Sequence, residues 1–347
     1  MGPVLSAALL LAALAPSARA QSSAPLRGID VYRSSVLSAD EAKTRYGAEL
    51  QAYVRLRDAR RPASDRKAEA LRRRIVAQVA ALKGIAWVDL TVTEHVTPKD
   101  DALYAIFDVV DRADASRLAF APAPEGPRAD PGGLLAAWRR YAALGESLAR
   151  AGKISFSRPD CPGFYCLWGG APELDEAQKG FVAGAAARGA ALARVLREDA
   201  DGADRADALY VLSYGTDGRA LVSQCREALS DPDARVRGAA LQILADVANN
   251  RPDLPIALES VLPRLDDPDA AVRSKAMGLL VPLAGRPAYR QVMMTAAPRL
   301  AALLTVEQPE TGDLAYTLLG MLSGKTYPRR DFAAWRAWAE QAAASRP

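Results

Sequence analysis

Hydrophobic and polar positions alternate at period two in parts of the first third of the chain and recur at helical spacing through most of the rest. In GIDVYRSS, Ile29 and Val31 face one way and Asp30 and Tyr32 the other, which predicts a short strand. Ser38 with Glu41 three residues on is a capping-box signature, and Tyr46, Leu50 and Tyr53 follow on one helical face. A second helix is expected from about Ser64, striped by Leu71, Ile75, Val79 and Leu82 and stopped by Gly84. Val88, Leu90 and Val92 then alternate with Asp89, Thr91 and Thr93. Leu103, Ala105, Phe107 and Val109 alternate with Tyr104, Ile106, Asp108 and Val110, so two strands form a hairpin across TPKDD. Residues 119–133 are rich in Pro, Gly and Ala, have no period and read as a linker. Leu135, Trp138, Tyr141 and Leu144 mark another helix, followed within 134–172 by a cysteine-containing loop.

From about Glu173 the chain repeats itself. The clearest copies are DPDARVRGAALQIL at Asp231 and DPDAAVRSKAMGLL at Asp267, a period of 36 residues. Alignment on the small residues Ala240 and Ala276 brings out weaker copies around Ala208 and Ala315. In this reading Asp231 and Asp267 are helix N-caps, and Pro232 and Pro268 sit at the first helical position. Phe332, Trp335 and Trp338 share one stripe and suggest a terminal helix that closes the last repeat.

The repeating unit resembles a HEAT repeat, two antiparallel helices joined by a turn. That resemblance implies that Arg237 and Arg273 pair with acids of neighbouring units in an internal ladder. The order strand, helix, helix, strand, strand over residues 28–118 resembles a POTRA module, which implies partner binding by strand addition to a sheet edge. The expected fold is mainly α: a small α+β N-terminal domain, and an α-solenoid of about four HEAT-like helix pairs over residues 173–347.

The first twenty residues hold an apolar run from Val4 to Leu14, Pro16 and the triplet Ala18-Arg19-Ala20, the pattern of a secretory signal cleaved near Ala20. Export to the periplasm or the exterior is therefore expected. Without Arg19 the chain carries 44 basic against 41 acidic side chains, a weak positive charge, and an exported chain is not expected to meet nucleic acid. Cys161 and Cys166 flank a short Pro/Gly loop and are expected to form a disulfide in an oxidising compartment. Cys225, on an apolar helical stripe, reads as a buried free thiol. The same loop carries Phe164, Tyr165, Leu167 and Trp168, read as a plug over the first end of the solenoid.

Catalytic signatures are weak. SGKT at Ser323–Thr326 lacks the Gly that a phosphate loop needs four residues before its Gly-Lys pair, where Leu319 stands, and reads as a turn between helices. His95, the single histidine, is expected to be exposed on the polar face of its strand; no second ligand accompanies it, so neither a metal site nor a cofactor site is expected. Residues 55–74 hold nine basic and three acidic side chains, including Arg60, Arg61 and Arg73, a candidate contact for an anionic membrane surface or an acidic protein. Arg235 has Ala271 at the matching place of the next repeat and is a further candidate for a partner contact. These features point to a non-enzymatic envelope scaffold or adaptor that binds a protein partner. The alternative is a hydrolase or lyase with paired carboxylates between the two parts, which requires a cleft and one carboxyl of raised pKa.

Overall fold

The structure, a computed structural model, describes residues 24–59, 61–96, 101–154 and 160–344. The expected signal segment 1–20, Arg60 and most of the TPKDD turn lie outside the described residues. Strand β1 (Leu26–Tyr32) is followed by α1 (Ala39–Asp58), α2 (Pro62–Ala80), β2 (Ile85–Val96) and β3 (Asp101–Asp111). Ser38 caps α1 by accepting from the Glu41 N–H at 3.2 Å, but the reciprocal half of the box is not made, because Glu41 reaches along the helix to Arg45. Gly84, at φ +103°, takes the turn from α2 into β2, a conformation that a side chain would strain.

The sheet order is β1-β3-β2, with β3 parallel to β1 and antiparallel to β2. Ile29, Leu90, Ala105, Phe107 and Val109 face a core shared with Leu50, Ile75 and Val79 of the two helices. The opposite face, which carries Asp30, Tyr32, Thr91, His95, Ile106 and Asp108, lies on the helical repeats. Both sides of β3 are therefore covered. All its residues from Ala102 to Asp111 are buried.

A 3-10 segment, Arg112–Leu118, leads out of the sheet, and a second, Pro131–Gly133, leads into α3 (Leu134–Arg150). The repeats comprise α4 (Pro172–Glu198) with α5 (Gly202–Leu212), then α6 (Gly218–Ala228) with α7 (Ala234–Asn250). The third pair is α8 (Leu258–Val261), continued as a 3-10 turn, Leu262–Asp266, with α9 (Ala270–Ala284). The last comprises α10 (Pro287–Met294), α11 (Ala297–Leu303) and α12 (Pro309–Ser323), and α13 (Phe332–Ala344) closes the stack. The result is a mainly α protein: a solenoid of helix pairs with a small α+β unit on its flank. Ala208, Ala240, Ala276 and Ala315 occupy the seventh position of α5, α7, α9 and α12 and are fully buried. A methyl there lets successive second helices approach closely. Trp335 of α13 is fully buried and donates from its indole N–H to the Pro328 carbonyl, while Gly324 ends α12 with φ +69°, so SGKT forms a helix C-cap and turn.

Helix starts differ from the sequence expectation in one instructive respect. The N-caps are Asp233 and Asp269, whose side chains accept from the N–H groups of Arg235 and Val272. Asp231 and Asp267 stand two residues earlier, and Pro232 and Pro268 lie outside the helices. Each earlier Asp accepts from the N–H of its capping neighbour, at 2.7 Å and 3.0 Å, which fixes the turn and leaves its carboxylate facing the adjoining repeat.

Candidate functional site

The three acid-x-acid turns each contain an Arg six residues after the first acid: Asp199 and Arg205, Asp231 and Arg237, Asp267 and Arg273. In every case the Arg donates from Nη1 to the carbonyls of that first acid and of the residue after it. The remainder of the guanidinium reaches forward. Arg205 grips Asp231 through Nε (2.8 Å) and Nη2 (2.6 Å), and Arg237 grips Asp267 in the same way at 2.8 and 2.7 Å. Such forked contacts are strong because both N–H groups align with the carboxylate.

Arg273 has no acid in the next repeat. There the equivalent of Asp267 is Val306 and the equivalent of Arg273 is Gly312, over which the Arg329 side chain lies where a Cβ would stand. Arg273 instead pairs with Asp108 of β3 at 2.6 Å, and Asp108 also accepts from the Ala270 N–H at 3.0 Å. The ladder thus continues into the N-terminal unit. Its acceptor pairs in register with Tyr32 of β1, whose ring lies 3.9 Å from the Arg273 guanidinium carbon and whose hydroxyl donates to the Leu265 carbonyl. Asp30 binds the Glu307 and Gln308 N–H groups at 2.7 and 2.8 Å. His95, expected on an open face, is half-buried at this junction and meets Glu310 at 2.7 Å.

The Pro/Gly segment is fixed along the same ridge. Phe120 stacks 4.0 Å from the Arg237 guanidinium carbon, the Ala121 N–H donates to the Ser230 carbonyl, and Gly126 accepts from the Ala200 N–H. The Arg128 N–H donates to Asp199, the first acid of the ladder, and Asp130 caps α3 through the N–H groups of Leu135 and Ala136. The chain therefore leaves the α+β unit at the third repeat and runs back past the second to the first. Backbone hydrogen bonds and one aromatic stack make a strap of what composition alone read as a spacer.

Burial pushes the Asp108 carboxyl up to about 6 against the pull of Arg273, and desolvation also raises Asp30. These are the acids between the two parts that the hydrolytic reading required. All four of their oxygens are engaged by protein donors and both side chains are buried, so neither can reach a substrate. Among the described residues there is no group of three or more His, Cys, Asp or Glu side chains able to hold a metal ion. No helix of the described residues is long and apolar enough to cross a membrane.

The cysteine loop is closed by a Cys161–Cys166 disulfide. Tyr165 is buried and stacks on Tyr210 at 5.3 Å, and the Phe164 N–H donates to the Ser213 carbonyl. Trp168 covers Gly145 of α3, and its backbone is held by Tyr141 and Gln178. The aromatics are thus turned onto α3, α4 and α5 at the first end of the stack. Of the proposed contact residues, Arg235 is 59% exposed yet held by Asp233 through both Nε and Nη2, and it stands 3.7 Å from Asp201. Arg61 is exposed immediately before α2, and Arg73 is exposed and 3.7 Å from Glu69. The structure brings none of these three to the ladder.

Of the several open grooves among the described residues, two border β1 and α6. Beside β1, an edge strand, a groove of about 400 Å³ runs between Leu26–Ile29 and Ala39, Lys43, Gly47 and Gln51 of α1, with Glu307 on its border. A second, about 540 Å³, lies between α6 and the stretch Leu254–Ser260. The sequence reading located neither groove. It also passed over Asp199, Arg205 and Asp108, although the six-residue offset from Asp to Arg is visible at the first two and a lone acid in the apolar run AIFDVV marks the third. The family model for HEAT repeats matches residues 189–280, which run from the end of α4 through α5, α6, α7 and α8 into most of α9. Comparison with curated proteins and with solved structures gives no match.

Proposed function

We propose that the chain is an exported scaffold or adaptor of the cell envelope, released near Ala20 into the periplasm or the exterior, where it binds a protein partner. Stacked helix pairs of the HEAT type present the extended surfaces on which solenoids hold other proteins. The observation that carries the reading is the inward use of the ionic groups. The ladder acids, Asp30 and Asp108 all serve the fold, while the edge of β1 stays open beside α1. An extended segment of the partner adds to β1 through main-chain hydrogen bonds, the mode that the POTRA-like order of residues 28–118 suggests. The Cys161–Cys166 bridge supports an oxidising compartment.

The test is photo-crosslinking in cells from residues introduced at Lys43 and Gln51. A defined envelope protein captured from both positions, and lost when excess partner peptide is supplied, is the expected outcome. Absence of any specific adduct from either position overturns strand addition. Fractionation with N-terminal sequencing checks export separately: a chain beginning at Gln21 is expected, and an intact Met1 in the cytoplasm defeats it.

A further inference from the structure

The groove between α6 and Leu254–Ser260 owes its existence to two prolines. RPDLPIA enters the third repeat with Pro252 and Pro255, which remove backbone donors and disfavour a helix. The first helix of that pair is cut to α8 and its short 3-10 extension. Where a full helix would pack against α6, the chain makes a turn, closed by the Leu254 N–H on the Arg251 carbonyl, and then an irregular stretch, leaving about 540 Å³ open.

The walls of this space have a definite chemistry. Helix α6 turns Arg219, Val222, Ser223 and Arg226 toward it, at i, i+3, i+4 and i+7 of one face, and Leu254 and Ile256 form apolar lining opposite. Arg219 and Arg226 are exposed and make no ion pair among the described residues. The acid that Arg219 influences, Asp253, is already held by both Nε and Nη2 of Arg251. No acidic side chain lines the groove, so Arg219 and Arg226 put positive charge on either side of an apolar floor.

The geometry points to a docking site for an acidic segment of a partner protein, bound extended with the pattern acid, apolar, apolar, acid. Seven residues of helix place the two arginines roughly 10 Å apart along α6. Three residues of a chain in the extended polyproline II conformation span about 9 Å and bring the side chain back to the same face, so two carboxylates so spaced meet both guanidinium groups while the residues between them lean toward Val222, Leu254 and Ile256. The inference deepens the scaffold reading by naming the chemistry of one partner segment, and it rests on that reading.

Fluorescence anisotropy on the mature chain tests it, with a labelled peptide containing Asp-Leu-Ile-Asp between Gly-Ser flanks and a control with Lys in place of both acids. The acidic peptide is expected to bind with salt-sensitive affinity and the Lys control not to bind. The exposed charge reversal R219E/R226E should weaken the acidic peptide by about tenfold or more. That variant should instead take up the Lys control. Binding unchanged in R219E/R226E, or no binding of the acidic peptide at low salt, overturns the site. Photo-crosslinking of the envelope partner at Lys43 serves as the separate readout. If it persists when the peptide test fails, the scaffold reading stands and only this groove is lost.

Discussion

Arg273 and Asp108, 165 residues apart, meet at 2.6 Å in a site where both side chains are almost wholly buried. The contact places a strand of the α+β unit where the next acid of the repeat ladder belongs. Asp108→Ala should therefore do more than delete one hydrogen bond, because it leaves both Arg273 Nη2 and the Ala270 N–H buried without an acceptor. The expected loss is about 3–5 kcal/mol, read as a lower midpoint in urea. The double variant Asp108→Leu with Arg273→Met should recover much of it, since an apolar pair leaves no charge stranded. A single-variant loss below about 1 kcal/mol would show that the ladder does not hold the two parts together.

Acidity should act on this junction in a direction opposite to ordinary acid unfolding. Asp108, near 3.8 when unfolded, is pushed up to about 6 in the folded chain, and burial raises Asp30 as well. Between these values the folded state holds the proton more tightly than the unfolded state. The contribution of Asp108 to stability thus falls as pH rises from about 4 to 6 and is flat above. Asp111, Asp233 and Asp266 are lowered by their hydrogen bonds and ion pairs, and they withdraw stability only as the pH falls below about 4. Urea midpoints at closely spaced pH values should show a gentle maximum near pH 4 to 5, and Asp108→Asn should flatten its alkaline flank. A parent profile that rises steadily from pH 4 to 7 would contradict the assignment.

The strap gives an independent handle on how the parts are held. Phe120 covers the guanidinium of Arg237 at 4.0 Å, and that of Arg264 lies 5.4 Å from the same ring. Phe120→Ala should cost about 1–2 kcal/mol and speed proteolysis between Ala121 and Asp130, where the backbone is otherwise pinned at few points. Phe120→Leu keeps the apolar cover and loses the ring face, so an intermediate effect separates stacking from simple burial. Equal cleavage rates in the parent and Phe120→Ala would mean that the backbone hydrogen bonds alone hold the strap.

What the sequence made legible was the part with a period. The stripes of α1, α2 and α3, the alternation in β2 and β3 and the 36-residue repeat each follow from side chains that must face one way. The contacts between distant segments carried no such signal. His95 looked exposed because its strand has polar residues on that face, and nothing local revealed that Glu310 would cover it. Asp231 looked like a cap because Asp-Pro-Asp offers two candidate caps, and only the neighbouring repeat, through Arg205, decides between them. Asp108 was readable in principle. A charged residue inside an apolar strand requires a buried partner, and Arg273 was the one ladder arginine without an acid in the repeat that follows.

Cys225 is fully buried in α6, and burial pushes its pKa well above that of a free thiol, so the nucleophilic thiolate is suppressed twice, by protonation and by access. The native chain should give no reaction with a disulfide reagent such as DTNB over minutes, and one equivalent after unfolding in guanidinium. Reduction of the Cys161–Cys166 bridge, which closes a six-residue loop, should lower stability by about 2 kcal/mol. Because Tyr165 and Trp168 are anchored to Tyr210, Tyr141 and Gln178 by their own contacts, the loss should fall on the first repeats and leave the Asp108–Arg273 junction intact. Hydrogen exchange with and without reductant tests that division. Faster exchange confined to α3, α4 and α5 is expected, and faster exchange across β3 would show that the cysteine loop and the α+β unit are coupled through the solenoid.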